Sequence, residues 1–248
     1  MTRLRLGIDV GGSSIKAALV DVDTGAIVGQ VSRADLPQPS TPAIVIEALL
    51  ALPATTISSG PIGCAVPCVV RDGVTLTAAN VDQSWVGANA TQLLVARSGR
   101  PCVLLNDADA AGIAEVRFGA ARNLGGVMFV LTFGSGIGTA LFVDGQLVPN
   151  TELGHLVLPG VDATDGEDYA SARTRSQLGL DWPQWTARVN RYLGELHRLF
   201  WPDAVIIGGA VSEHFEHWER FLDVPVRVLP ARFRGHAGIV GAALATAI

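Results

Sequence analysis

Leu4-Arg5-Leu6-Gly7-Ile8-Asp9-Val10-Gly11-Gly12-Ser13-Ser14-Ile15-Lys16-Ala17-Ala18-Leu19-Val20 reads as a strand, a glycine turn and a second strand. A similar figure recurs past the middle of the chain. There Val127 to Leu131 leads into Gly134-Ser135-Gly136-Ile137-Gly138, and Thr139 to Val143 leads out. Each cluster is therefore expected at the tip of a β-hairpin. Glycine permits close backbone approach, and the N–H groups of such turns bind anionic oxygens. Two tips, one per half, suit a phosphate chain held from both sides. Neither is a Walker loop, because the GxxxxGK[ST] spacing is absent and neither turn enters a helix directly.

The 248 residues are 49% hydrophobic, enough for one large domain or two small ones. A formal charge of −5 and the lack of a basic stripe argue against nucleic acid as a partner. Lys16 is the only lysine among 18 basic residues, and it lies directly behind the first turn, where a cation could meet phosphate. An arginine-favouring coding bias is the plain reading of its solitude. Cys64, Cys68 and Cys102 make neither a CxxC pair nor an even disulfide set, as in a reduced cytoplasmic protein. The start shows no signal-like apolar region, and no apolar run reaches the ~20 residues of a membrane span. A soluble, cytoplasmic protein without a membrane partner is expected.

Strands are expected over Leu4 to Val10, Ile15 to Asp21 and Ala26 to Arg33, then Ile62 to Val66, Val69 to Arg71 and Cys102 to Leu105. Pro42 opens a helix carrying Ile44, Val45, Ala48, Leu49 and Leu52, and a second helix covers about Ala90 to Arg97. A third runs from about Asp109 to Phe118. Pro159 to Asp181 reads as loop-rich. Trp185, Val189, Tyr192, Leu193, Leu196 and Phe200 mark an amphipathic helix, followed by a strand from Ala204 to Ile207. The last helix, about Ala237 to Thr246, is apolar and built of small residues, which suits close packing.

Asp9, at a strand end before Gly11-Gly12, suits a carboxylate holding hydrated Mg²⁺ beside a phosphate; a turn-stabilising Asp is the plain alternative. Asn106-Asp107-Ala108-Asp109 follows an apolar strand, where ligands of α/β domains bind. Asp109 suits a helix N-cap, which leaves Asp107 to accept a proton from a hydroxyl and Asn106 to bond a polyol. Glu152 and His155, three apart, share one face of a helical turn and suit sugar hydroxyls. Neither HExxH nor a cysteine cluster is present, so no structural zinc is expected. Gly208-Gly209 ends a strand before a helix expected to be capped by Ser212; it could face a base or phosphate, or be an ordinary tight turn.

These motifs resemble the ROK family of sugar kinases, and within it the branch that uses polyphosphate to phosphorylate glucose. The resemblance runs through Gly7 to Ser13, Ala79 to Trp85, Leu105 to Gly112, Leu141 to His155, Asp168 to Ser171 and Ala237 to Ala243. It implies an α/β, actin-like ATPase fold (a duplicated RNase H-like fold) of two lobes with an interdomain cleft. The N-terminal lobe would be residues 1–105 joined by a C-terminal helix at about 237–248, and the C-terminal lobe 106–236. Asp107 would be the general base on the sugar 6-hydroxyl. Asn80, Asn106, Glu152, His155 and Glu167 would contact glucose. Asp9 would hold Mg²⁺ through water. Gly11, Gly12, Ser13 and Lys16, with Gly134, Ser135, Gly136, Gly138, Gly208 and Gly209, would face the donor phosphates. A homodimer is also implied.

Several positions depart from the family pattern. Cys68 follows Pro67 where glycine is usual beside the sugar, and Ser135 replaces a threonine. Gly208-Gly209-Ala210 replaces a triple glycine, and Asp162 to Gly166 fills the stretch where zinc-binding relatives carry cysteines. Lysines of polyphosphate-using relatives are missing around Ser171 to Gln177, which has Arg173 and Arg175, and around Ser212 to Arg220, which reads Glu213-His214-Phe215-Glu216-His217. ATP as donor and an inactive sugar-binding relative are the alternatives. A sugar-responsive repressor is not expected, since the first strand begins at about Leu4 and leaves no room for a preceding helix-turn-helix.

Overall fold

Alternation along the first strand decides which side each residue serves, because successive strand residues point to opposite faces. The computed structural model describes residues 3–162 and 165–247, so Ala163 and Thr164 of the Asp162 to Gly166 stretch lie outside the described residues. The chain lays down β1 (Leu4–Val10), β2 (Ser14–Asp21), β3 (Ala26–Asp35), α1 (Pro42–Leu50), α2 (Pro53–Thr56) and β4 (Ile62–Val66). Next come a small ribbon of β5 (Val70–Arg71) and β6 (Val74–Thr75), α3 (Ala90–Ser98), β7 (Cys102–Asn106) and α4 (Asp107–Phe118). The second series is β8 (Val127–Phe133), β9 (Ile137–Val143), β10 (Gln146–Val148), α5 (Gly166–Ala170), α6 (Ala172–Gln177) and α7 (Trp182–Phe200). It ends with β11 (Ala204–Gly209), α8 (Phe215–Trp218) and β12 (Arg227–Pro230), before a last helix, α9 (Ala237–Ala245).

Two sheets repeat one order, β3-β2-β1-β4-β7 and β10-β9-β8-β11-β12. In each, the first three strands are antiparallel neighbours and the last two run parallel to the centre. That duplicated order is the RNase H-like arrangement expected from the sequence. The glycine clusters are hairpin tips, closed by the pairs Val10↔Ile15 and Phe133↔Ile137.

The chain divides into two compact units, Met1–Phe118 with His236–Ile248, and Gly119–Gly235. In the first, Leu6, Ile8 and Val10 of β1 join Ile62, Cys64 and Val66 of β4 in a core with Val45, Leu49, Leu94 and Trp85. The alternate residues face α9. A Cβ on Gly7 would lie 1.9 Å from the Ile239 carbonyl oxygen, and one on Gly63 1.8 Å from that of Ala242. On α9 itself, a Cβ on Gly241 would lie 1.6 Å from the Ala110 carbonyl oxygen of α4. Glycine at these contacts lets two helices and a sheet meet backbone to backbone. This packing seats α4, with Asp107 at its head, in the first unit, whereas the expected boundary assigns residues 106–236 to the C-terminal lobe.

In the second unit, Phe129, Leu131 and Phe133 of β8 with Val205 and Ile207 of β11 pack on Trp185, Val189, Tyr192, Leu193 and Leu196 of α7. That helix, expected from the apolar spacing of Trp185 to Phe200, begins at Trp182, where Asp181 and Gln184 form a reciprocal capping box. The stretch read as loop-rich contains α5 and α6, each capped by a side chain: Asp165 accepts from Asp168 N–H at 3.0 Å and Ser171 from Thr174 N–H at 3.2 Å. No described helix is long and apolar enough to cross a membrane.

Candidate functional site

Around the β1–β2 tip the first unit brings together Asp9, Gly11, Gly12, Ser13, Lys16 and Asn80. Gly12 and Ser13 are exposed there, and Gly11 N–H donates to the Ser14 carbonyl at 2.9 Å to close the turn. A Cβ on Gly12 would lie 2.8 Å from that of Asn80, so Asn80 backs the tip from a distant loop. Asp9 and Lys16 are direct cross-strand partners. Above Asp9 sits the start of α9, where a Cβ on Gly238 would come within 2.8 Å of the carboxylate. Burial raises the Asp9 pKa, with Lys16 and then His236 opposing the rise. An oxygen ligand whose charge is disfavoured by burial and only partly offset by cations suits a hydrated dication such as Mg²⁺. His236 carried no sequence signal; the return of α9 brings it there.

Asn106 ends β7 and caps α4. Its Oδ1 accepts from Ala108 N–H at 2.8 Å and Asp109 N–H at 3.0 Å, and its amide donates to the Cys68 carbonyl at 3.3 Å. The cap expected of Asp109 therefore belongs to Asn106, and Asp109 is buried in the first turn. Asn, Asp and Asp at 106, 107 and 109 are all good cap residues, so composition alone could not rank them. Asp107 is half-buried, its Oδ1 accepting from Ala108 N–H at 2.9 Å. A helix N-terminus favours negative charge there. The Cys68 side chain is part of the buried core, so the departure from glycine adds its bulk to the interior.

The second unit builds around the β8–β9 tip. Gly134 and Ser135 are exposed, and Gly138 pairs with Thr132 at the start of β9. Gly134 N–H donates to the Gly136 carbonyl, and Arg173 N–H to the Gly134 carbonyl, both at 3.0 Å. Glu167 Oε2 accepts from Ile137 N–H at 3.2 Å. Gly208 and Gly209 end β11 beside Thr132 and Phe133, one residue short of the tip. Gly209 has φ +78°, and a Cβ there would lie 2.2 Å from the Phe133 carbonyl oxygen. Ser212 caps no helix; it sits in a 3-10 turn, Ala210–His214, and donates to the Gly209 carbonyl at 2.7 Å.

Glu152 precedes, and His155 ends, another 3-10 turn, Leu153–His155. This turn is fastened to β9, where Thr139 Oγ1 accepts from Leu153 N–H at 3.1 Å, and to α7, where Tyr192 donates to the Leu153 carbonyl at 3.1 Å. Burial raises the Glu152 pKa, with His155 opposing and Glu167 adding to it. The His155 pKa is also raised, chiefly by its 2.8 Å hydrogen bond from Nδ1 to Asp165 Oδ2. Asp165 was not singled out in the sequence, although an Asp three residues before Asp168 is a helix-start signal.

The segments Ser171 to Gln177 and Ser212 to Arg220 meet at Trp182. The Arg175 guanidinium lies 3.6 Å from the ring centre, and the His217 ring is parallel to the indole within 9° at 6.4 Å. His214 approaches the same ring at 5.9 Å. Among the described residues, the group of metal-type side chains closest to one another is His214, Glu216 and His217, all exposed.

Residues 5–169 match the model of the ROK family. A polyphosphate glucokinase of Mycobacterium tuberculosis is 43% identical over 241 residues, covering 97% of this chain and 90% of that protein. The crystal structure of an inorganic polyphosphate/ATP-glucomannokinase from Arthrobacter sp. strain KM has a TM-score of 0.89 at 41% identity, covering 98% of both chains. A ROK family glucokinase from Streptomyces griseus, solved with glucose and AMPPNP, shares the fold at a TM-score of 0.82 and 24% identity, over 97% of this chain and 98% of that one. The fold is the actin-like one.

Proposed function

We infer the function from the premise that this chain belongs to the ROK family: it is a sugar kinase that moves a phosphoryl group from inorganic polyphosphate to the 6-hydroxyl of glucose. The likeness to a polyphosphate glucokinase over 97% of the chain is the observation that carries this reading. The products are glucose 6-phosphate and a polyphosphate one unit shorter.

Phosphoryl transfer requires positioning and charge stabilisation more than covalent help. Asp107 accepts the 6-hydroxyl proton as the oxygen attacks phosphorus. Asn80, Asn106, Glu152, His155 and Glu167 orient the sugar. The two glycine tips, Gly11 to Ser13 and Gly134 to Gly138, with Lys16 and the Gly208-Gly209 end of β11, face the donor oxygens. Asp9 would hold Mg²⁺ through water, and the ion supplies charge neutralisation on the phosphates. The protein works as a homodimer in the cytoplasm, which the family resemblance supports; sedimentation of the purified chain tests the two-chain state.

ATP is a second donor. The Arthrobacter kinase is described as a polyphosphate/ATP enzyme, and Glu213 and Glu216 beside the Trp182 cluster disfavour a long polyanion. A coupled assay for glucose 6-phosphate, run with polyphosphate and with ATP, separates the donors. Turnover with ATP alone would overturn the polyphosphate reading.

A further inference from the structure

Glu167 lies at a junction within the second unit. On one side its Oε2 accepts from Ile137 N–H at 3.2 Å, at the end of the donor turn. A Cβ on Gly136 would stand 2.3 Å from the same oxygen, so only glycine leaves room for the carboxylate. On the other side its charge reaches Glu152 and His155, adding to the raised pKa of each. The segment that carries it is tied to the turn a second time, through Arg173 N–H and the Gly134 carbonyl at 3.0 Å.

We propose that Glu167 is a positioning residue that couples sugar binding to donor binding, resting on the reading that glucose meets Glu152, His155 and Glu167 while donor phosphates meet Gly134 to Gly138. Without sugar, its carboxylate occupies the Ile137 N–H and presents negative charge to an incoming phosphate. Sugar hydroxyls donate to the carboxylate, draw off that charge and fix the side chain. The turn then accepts the donor more readily. By linkage the donor tightens sugar by the same factor. The arrangement suppresses donor binding to a sugar-free enzyme.

The test is calorimetric titration of inorganic polyphosphate, and separately AMPPNP, with and without saturating 6-deoxyglucose, which lacks the accepting hydroxyl. In the wild type the sugar is expected to tighten the donor about tenfold, within the usual range of coupling energies. Glu167→Ala should bring the ratio close to one by tightening the donor in the absence of sugar. Gly136→Ala should do the same by expelling the carboxylate from the turn while Glu167 remains. Should either fail to fold in a thermal melt, Glu167→Gln carries the test: it keeps an acceptor for Ile137 N–H, loses the charge, and should lower the ratio several-fold. A wild-type ratio of one, or a wild-type ratio surviving in the folded variants, overturns the coupling. A wild type that binds both ligands yet makes no glucose 6-phosphate from either donor overturns the kinase reading instead.

Discussion

Asp107, proposed above as the general base, heads α4, half-buried, with one carboxylate oxygen accepting from the Ala108 amide. Replacing it by Asn keeps the size and the amide contact but removes the proton acceptor. Asp107→Asn should fold and bind glucose normally while kcat falls by ~10²–10⁴-fold. Activity near wild type in a coupled assay would remove the assignment. His155 supports a different test. Its folded-state pKa is raised above the ordinary 6.5 by the Asp165 hydrogen bond. The stability contributed by that pair is therefore fully present below 6.5 and lost as pH rises through the higher folded value. Thermal melts of His155→Gln against wild type should differ most in mildly acidic buffer and converge in alkaline buffer. A deficit that widens with pH would refute the pairing.

Among the elements, α4 and α9 carry the mechanical argument. A methyl on Gly241 would enter the Ala110 carbonyl at 1.6 Å, and neither backbone can yield without shifting a helix. Gly241→Ala should cost about 1–3 kcal/mol of unfolding free energy, the usual range for overpacking, as read by denaturant titration. It should also lower kcat, since α4 carries Asp107. An unchanged midpoint would contradict the close contact. These helices also mark where the sequence was legible. The hairpin tips, central strands and α7 follow from local patterns: glycine flanked by β-rich runs, and apolar residues at helical spacing. The short strands β10 and β12 exist through pairing with β9 and β11, which no local pattern displays. Helices α5 and α6 are too short to show a period and depend on their caps. The Asn106 cap was hidden among three residues equally able to cap. The contact of Glu167 with the turn spans 30 residues of sequence, which no local pattern reveals.

For the whole molecule, charge decides the donor question. The chain carries a net −5, so a long polyanion meets overall repulsion and depends on local cations. Arg173, exposed next to the second turn, and Arg175, over Trp182, are the cations that the α5–α6 segment offers. The KM for polyphosphate should rise steeply with added salt while the KM for glucose stays nearly flat, because ionic contacts are screened and sugar hydrogen bonds are not. Arg173→Gln with Arg175→Gln should raise the polyphosphate KM and flatten its salt dependence. A salt response identical to wild type would show that these arginines do not touch the donor.

The return of α9 to β1 and β4 has a consequence for synthesis. A ribosome finishes residues 119–235 as one contiguous stretch, so the second unit can close as it emerges. The first unit, begun much earlier, waits with its glycine face and Asp9 uncovered until Ala237–Ala245 arrives. A nascent chain interrupted between the two would carry Glu152, His155 and the second turn in finished form, beside a first unit without its cover. A chain stopped before Ala237 would therefore lack the helix whose start covers Asp9, and the glycine face of β1 and β4 would stay bare.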